Sequence, residues 1–292
     1  MALMSDTKLS ALNAGTIKVG NFIVNRMGFG AMRITGQGVW GPPNDIAAAK
    51  RLLQRAVDLD VNFIDTADAY GPKVSEELIH DALYPYEGII IATKGGSVRG
   101  GPGDWRANGS PEHLRAACEG SLDRLDIPQI TLYQLHRPDP RVSIKESMQA
   151  LVALQQEGKI RYIGVSNFSL EQLQEAMRYA HIVSVQNHYN VEFRQDSEDI
   201  VKFCEEQGIA FIPYFPMGGG NSDYNRSVFK RLGHKHGATA HQIALAWLLA
   251  HSPAILPIPG TSSVSHLEAN IGAANIQLDE QDMQDLDTLS DE

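Results

Sequence analysis

Asp65, Lys94 and His136 each follow an apolar, strand-like run, and Tyr70 stands five residues after Asp65. An ionised carboxylate behind a buried run is costly unless something pairs with it, and a buried lysine needs a counterion to stay charged. A tyrosine is a poor acid, with a free pKa near ~10, and a nearby ammonium stabilises its phenolate. A histidine can orient a carbonyl oxygen by hydrogen bonding. Together these four residue types form a proton-donating site for a substrate that becomes an alkoxide, which is carbonyl reduction by hydride transfer. Lys94 could instead form a Schiff base in an aldolase-type barrel. Structural roles are the plainer reading of each residue alone: a capping Asp65, a surface Lys94, an interior His136. A metal hydrolase would want clustered ligands at a strand end. The pair His234 and His236 lies in a helical pattern, where residues two apart point to different faces, so no metal is expected.

Those side chains meet only if the chain delivers them to one place. In GTIKVGNFIVNRMGFG (15–30) a Gly-Asn turn separates two β-prone runs, which predicts a hairpin leading into a first strand. Helical periodicity predicts helices over 44–60 (capped by Asn44 or Asp45), 74–83, 111–125, 143–157, 170–180, 197–207, 227–236, 240–250, 264–273 and 280–289. Strands are predicted over 62–65, 88–93, 130–135, 159–165, 182–186, 209–213 and 255–257. This makes eight strand–helix units after the hairpin, with no linker or repeat between them. The expected fold class is α/β, a (β/α)8 TIM barrel with an N-terminal β-hairpin closing the barrel bottom. It would be one domain over residues 1–292, with a loose segment at 1–14. A doubly wound sheet would carry a glycine-rich turn after its first strand, and GFGAMR (28–33) lacks the third glycine. Barrel chemistry sits at the C-terminal strand ends, where Asp65, Lys94, His136, Ser166, Asn167, Gln186 and Tyr214 all fall.

Composition narrows the class. With 43% apolar residues the 292-residue chain can bury a large core, and its net charge of −10 argues against non-specific nucleic-acid binding. The two cysteines have no CxxC spacing, which suits a reducing compartment. The N-terminus has no basic stretch before an apolar one, and no run nears the ~18 apolar residues of a membrane span. A cytoplasmic protein with no membrane or nucleic-acid partner is expected.

The chain resembles the aldo-keto reductases over nearly its whole length. The resemblance rests on NFIDTADAYG (62–71), IATKGG (91–96), LYQLHRPDP (132–140), GKIRYIGVSNF (158–168), VQNHYN (185–190), PYFPMGGG (213–220) and LPIPGTSSVSHLEAN (256–270). It implies a nicotinamide cofactor bound without a Rossmann fold. It also implies that Asp65 is the catalytic aspartate, Tyr70 the general acid, Lys94 the group tuning it and His136 the group orienting the carbonyl. Asp68 is left as a turn or capping residue.

By the same resemblance Ser166, Asn167 and Gln186 hold the nicotinamide carboxamide, and Tyr214 stacks on its ring. The family commonly has Ser-Pro-Leu next, where this chain has Phe215, Pro216 and Met217. The lost pyrophosphate hydrogen bond could be replaced by backbone amides around Gly218, Gly219 and Gly220. Gly260, Thr261, Ser262, Ser263, His266 and Asn270 complete the implied cofactor set. No lysine or arginine between Gly260 and Asn270 awaits a 2′-phosphate. Members with PGTSSV are nevertheless commonly NADPH-dependent, and NADPH is expected over NADH.

Trp40 and Trp105, the latter on a glycine-rich and supposedly mobile loop at 95–110, would wall a pocket for a planar or apolar small-molecule carbonyl. The GPP after Trp40 and the PGTSSV segment resemble bacterial pyridoxal reductase-like members, which makes pyridoxal a candidate substrate. The barrel also serves as a redox-sensing potassium-channel β subunit, a regulatory alternative. The oligomeric state stays open.

Overall fold

A computed structural model describes residues 8–220, 224 and 226–290. Strands β1 (Thr16–Val19) and β2 (Phe22–Asn25) pair antiparallel around Gly20 and Asn21. The chain then alternates through β3 (Phe29–Gly30), α1 (Ile46–Asp58), β4 (Phe63–Asp65), α2 (Val74–Leu83) and β5 (Ile90–Gly95). Next come β6 (Ser97–Gly101), β7 (Asp104–Ala107), α3 (Pro111–Leu125), β8 (Ile130–Leu135), α4 (Ile144–Gln156) and β9 (Ile160–Ser166). The chain continues through α5 (Leu170–Ala176), β10 (Ile182–Gln186), α6 (Glu198–Gln207), β11 (Ala210–Phe211) and α7 (Ser227–His236). It closes with α8 (Ala240–His251), α9 (Val264–Gly272) and α10 (Glu280–Asp287).

The sheet order is β11-β10-β9-β8-β5-β4-β3, every neighbouring pair parallel. Its two edges meet through residues 254–258. Leu256 N–H donates to the Phe211 carbonyl at 2.8 Å, and Gly28 N–H donates to the Pro257 carbonyl at 2.9 Å. The strand expected at 255–257 is therefore only a bridge between Phe211 and Ile255. Pro253, Pro257 and Pro259 lack the N–H groups that a full ladder needs.

Local chemistry explains where the helices begin. The Asp45 side chain accepts from Ala48 N–H at the start of α1, and Ser110 accepts from His113 N–H ahead of Pro111 in α3. Reciprocal capping boxes start α4 (Ser143, Glu146), α5 (Ser169, Gln172), α8 (Thr239, Gln242) and α10 (Asp279, Asp282). Helix α5 stops at Ala176, short of the expected 180, where Arg178 and Tyr179 tighten into bonds from three residues back. Part of the segment expected to be loose is packed. Ser10 caps a short 3-10 turn at Ala11–Ala14, and buried Ala11 donates to the Leu59 carbonyl at 2.8 Å. Residues 1–7 of that segment lie outside the described residues.

Two apolar layers result. One lies between sheet and helices and includes Ile64, Ile91, Tyr133 and Val165; the other joins Phe63, Ile90, Ala92, Leu132, Leu256 and Ile258 inside the curl, with Val19 and Val24 of the hairpin. Among the described residues no helix is long and apolar enough to cross a membrane.

Candidate active site

Alternation along the strands decides which residues share the interior. Successive strand side chains point to opposite faces. Phe63 is interior, Ile64 faces the helices, and Asp65 returns to the interior. Ile90 and Ala92 lead to Lys94 by the same parity, and Leu132 leads to Gln134. Parallel register sets Asp65 against Ala92, Lys94 against Gln134, and Ser166 against Gln186. The interior is thus apolar along its length and turns polar only at the C-terminal strand ends.

There the four expected residues converge. Lys94 is fully buried, and its Nζ donates to Asp65 Oδ2 at 2.6 Å, to the Thr66 carbonyl at 2.8 Å and to Tyr70 Oη at 3.3 Å. Asp65 Oδ1 accepts from Gln186 Nε2 at 2.8 Å and from Gln134 Nε2 at 3.1 Å. A buried ion pair holds only if such extra donors satisfy its remaining lone pairs. Burial alone would push the Lys94 ammonium down, but Asp65 and Tyr70 together hold it above its ordinary value. Burial pushes the Tyr70 phenol up, and the opposing pull of Lys94 does not cancel it. The expectation that the ammonium would leave this tyrosine more acidic is therefore corrected for the resting protein. Desolvation is the larger effect, and Tyr70 stores its proton. Burial, then the charges of Lys94, Arg137 and Arg99, keep His136 neutral by moving its pKa well below the ordinary value.

The turn between Asp65 and Tyr70 is held from outside. Ser75 N–H donates to the Tyr70 carbonyl at 3.1 Å, while Ser75 Oγ accepts from Thr66 and donates to the Ala31 carbonyl. Gly71 has φ 102°, and a Cβ there would lie 2.4 Å from that of Val74. Only glycine lets the chain turn so directly from Tyr70 into α2.

These residues open on a cavity of about 550 Å³. Tyr70, Trp105 and His136 line its chemical end; their rings pack edge-on, with centroids 5.9 to 6.3 Å apart. Ser166, Asn167, Gln186, Tyr214, Pro216, Met217, Gly219 and Gly260 of the expected cofactor set also line it. Four of their side chains already have partners in the protein, Ser166 Oγ accepting from Asn167 Nδ2 at 3.1 Å. Gln186 bonds Asp65 rather than standing free for a carboxamide, because the parity of β10 aims it at the carboxylate. Asn167, at φ 62°, donates to the His136 carbonyl and accepts from Tyr214 Oη at 2.8 Å. Tyr214 stacks on His188 at 5.5 Å through one face.

The remainder of the set lies outside this cavity. Thr261 is buried, its Oγ1 accepting from Ser263 N–H; Ser262 lines a second cavity; and His266 is exposed on α9. Ser263 occupies the N-cap position of α9, yet its hydroxyl pairs with Ser265 instead of capping. Asn270 is buried, and its Nδ2 has no hydrogen-bond partner.

Two expectations about the walls are corrected. The stretch 95–110 is not a plain loop but contains a hairpin, β6 against β7. Arg99 organises it by donating to the carbonyls of Gly38, Val39, Ala69, Gly101 and Asp104, with its guanidinium 3.6 Å from the Trp105 ring centroid. Trp40 does not line the cavity. It bridges to Gly71 and lies 5.6 Å from the Arg99 guanidinium, a packing partner behind Trp105.

Sequence reasoning missed Gln134, Arg33 and Arg137. Gln134 was detectable as a polar residue inside an apolar run. Arg33 lines the cavity from a short 3-10 turn at Ala31–Ile34 and Arg137 from the loop after β8, and neither path is revealed by periodicity.

The aldo/keto reductase family model matches residues 26–291. An uncharacterized oxidoreductase of Schizosaccharomyces pombe is 47% identical over 94% of this chain and 89% of its own length. Pyridoxine 4-dehydrogenase of Escherichia coli is 40% identical over 96% of this chain and its own full length. The crystal structure of an aldo-keto reductase from Klebsiella pneumoniae in complex with NADPH superposes with a TM-score of 0.78 at 27% identity, covering 94% of each chain.

Proposed function

The chain belongs to the aldo/keto reductase family, and on that premise we propose that it is an NADPH-dependent oxidoreductase that reduces aldehyde and ketone carbonyls to alcohols, with Tyr70 as general acid. One observation carries the reading: a single buried ammonium, Lys94, lies 2.6 Å from Asp65 and 3.3 Å from Tyr70. A nicotinamide bound there would supply the hydride for the carbonyl carbon. Tyr70 holds at Oη the proton that the developing alkoxide needs. As the phenolate forms, Lys94 stabilises it in a site where burial strengthens the interaction, and Asp65 keeps Lys94 charged. Neutral His136 donates one N–H to the carbonyl oxygen and orients it.

The residues present fit the cofactor. Asn270 has an unpartnered buried amide, as a site for a polar base or sugar would. Gly260 has no room for a side chain, since a Cβ there would lie 2.6 Å from the Gly30 carbonyl, and this lets backbone approach a pyrophosphate. The amides at the start of α9 have no side-chain cap, which suits a phosphate. Ser166, Asn167 and Tyr214 would face the nicotinamide, and Gln186 would reach it through its Oε1 or the Nε2 hydrogen not given to Asp65.

For the substrate, the Trp105 wall and the likeness to a pyridoxine 4-dehydrogenase support a planar aldehyde, with pyridoxal a candidate. The β1–β2 hairpin, whose Val19 and Val24 pack with interior Phe63 and Leu132, is read as the closure of the barrel's N-terminal end within one domain.

The test is Tyr70→Phe. Carbonyl reduction should fall by about two to four orders of magnitude, while NADPH affinity, read by fluorescence titration, stays near wild type. Retained reduction would remove Tyr70 as the acid. Tight NADPH binding with negligible turnover of every carbonyl in the wild type would point to a regulatory protein instead.

A further inference from the structure

Three cations bear on His136 at the chemical end of the cavity, and two of them are committed. Lys94 is engaged by Asp65 and the Thr66 carbonyl, and Arg99 donates to five backbone carbonyls. The third is Arg137, next in the chain to His136. It lines the cavity, forms no ion pair among the described residues, and has a buried Nε without a hydrogen-bond partner. The carboxylate closest in sequence is not available to it. Asp139 is held by Arg141 through both oxygens at 3.0 Å and accepts from Gly109 N–H at 3.1 Å. It lines the same cavity as Tyr70, His136 and Tyr214, and its charge bears on all three.

A guanidinium N–H buried without a partner is costly, and its planar fork matches the paired oxygens of a carboxylate or phosphate. The chain as a whole, at net charge −10, repels anions, so an acidic substrate would need a local cation of this kind. Resting on the reductase reading above, we propose that Arg137 binds an anionic oxygen group on the carbonyl substrate and so selects acidic aldehydes over neutral ones of the same shape. The ring or chain of the substrate lies along Trp105, its carbonyl oxygen between Tyr70 and His136, and its anionic group against Arg137. No bond beyond those of carbonyl reduction is made or broken.

The experiment compares matched substrate pairs at saturating NADPH: 4-formylbenzoate against its methyl ester, and glyceraldehyde 3-phosphate against glyceraldehyde. Wild type, Arg137→Met and Arg137→Lys are measured, with circular dichroism and NADPH titration to establish that each variant folds. Wild type should favour the acid of at least one pair by about ten- to a hundredfold in kcat/KM, and the pair concerned tells carboxylate from phosphate. Arg137→Met should bring that ratio close to one, mainly through KM, and Arg137→Lys should restore part of it. Benzoate binding to the NADPH-saturated protein, followed by tryptophan fluorescence, should weaken in Arg137→Met by a similar factor. A wild type without acid preference in either pair overturns the proposal. So does an Arg137→Met variant that slows acid and neutral partners equally with a shifted pH profile, because the arginine would then act only on Tyr70. Failure to reduce any carbonyl, with benzoate still bound through Arg137, would strike the reductase reading and not the anion site.

Discussion

Asp65 and Asp68 stand three residues apart and are held in opposite ways. Asp65 receives Lys94, Gln134 and Gln186, whereas Asp68 keeps a buried Oδ1 with no partner. Burial first, and the neighbouring Glu76 carboxylate second, push the Asp68 carboxyl up from 3.8 to about 8. A raised folded-state pKa favours the protonated form, so this group's contribution to stability is full below its ordinary value and is lost as pH rises through about 8. Asp68→Asn cannot ionise. Its Tm relative to wild type should therefore climb from about pH 4 to about pH 8, the window from the ordinary to the raised value. A Tm difference independent of pH would show that Asp68 is ionised in the fold. Asp68 sits in the turn as expected, its backbone accepting from Lys73 N–H and donating to the Lys94 carbonyl.

At the scale of elements, the β6–β7 hairpin does what a loop could not. Arg99 ties it to the backbone at Gly38, Val39 and Ala69, and so fixes the height of Trp105 over Tyr70 and His136. Five glycines across residues 95–103 suggested mobility, but one guanidinium with five carbonyl acceptors outweighs their backbone freedom. Arg99→Met removes those bonds and the stacking on Trp105. KM for an aromatic aldehyde should rise about tenfold, with a smaller change in kcat, and amide exchange over residues 97–107 should quicken. Unchanged exchange there would mean that the strand ladder alone sustains the hairpin.

At the scale of the molecule, an acidic chain has to hold an anionic cofactor, and only local features can do so. Arg33, in the 3-10 turn after β3, lines the cavity with Gly219 and Gly260, and its guanidinium donates to the Gly219 carbonyl at 3.4 Å. Next to it, α9 offers uncapped amides and an exposed His266 one turn on. The two positions predict different losses. Arg33→Met should weaken NADPH and NADH by similar factors, because the pyrophosphate is common to both. His266→Ala should weaken NADPH more than NADH, because only NADPH has the 2′-phosphate. Equal losses of both cofactors in His266→Ala would remove that role, and a selective loss of NADPH in Arg33→Met would assign the 2′-phosphate to Arg33.

The alternation of apolar runs, the capping residues and the polar residues at strand ends were readable along the chain, because helices and strands follow local periodicity and backbone hydrogen bonding. That is why the helix at 74–83, the strand at 130–135 and the meeting of Asp65 with Lys94 were expected where they occur. Distances between partners far apart in the chain were not readable. Gln186 turned to Asp65 across 121 residues, Trp40 fell behind Arg99 instead of into the cavity, and Arg33 and Arg137 reached the cleft from a 3-10 turn and a loop. The balance at Tyr70 was likewise a tertiary matter. Residue types said that an ammonium would draw the phenol down, and only the packed site, where Tyr70 is buried beside Trp105 and His136, decided that desolvation prevails. Local sequence sets which groups are available; burial and long-range register set what each of them is worth.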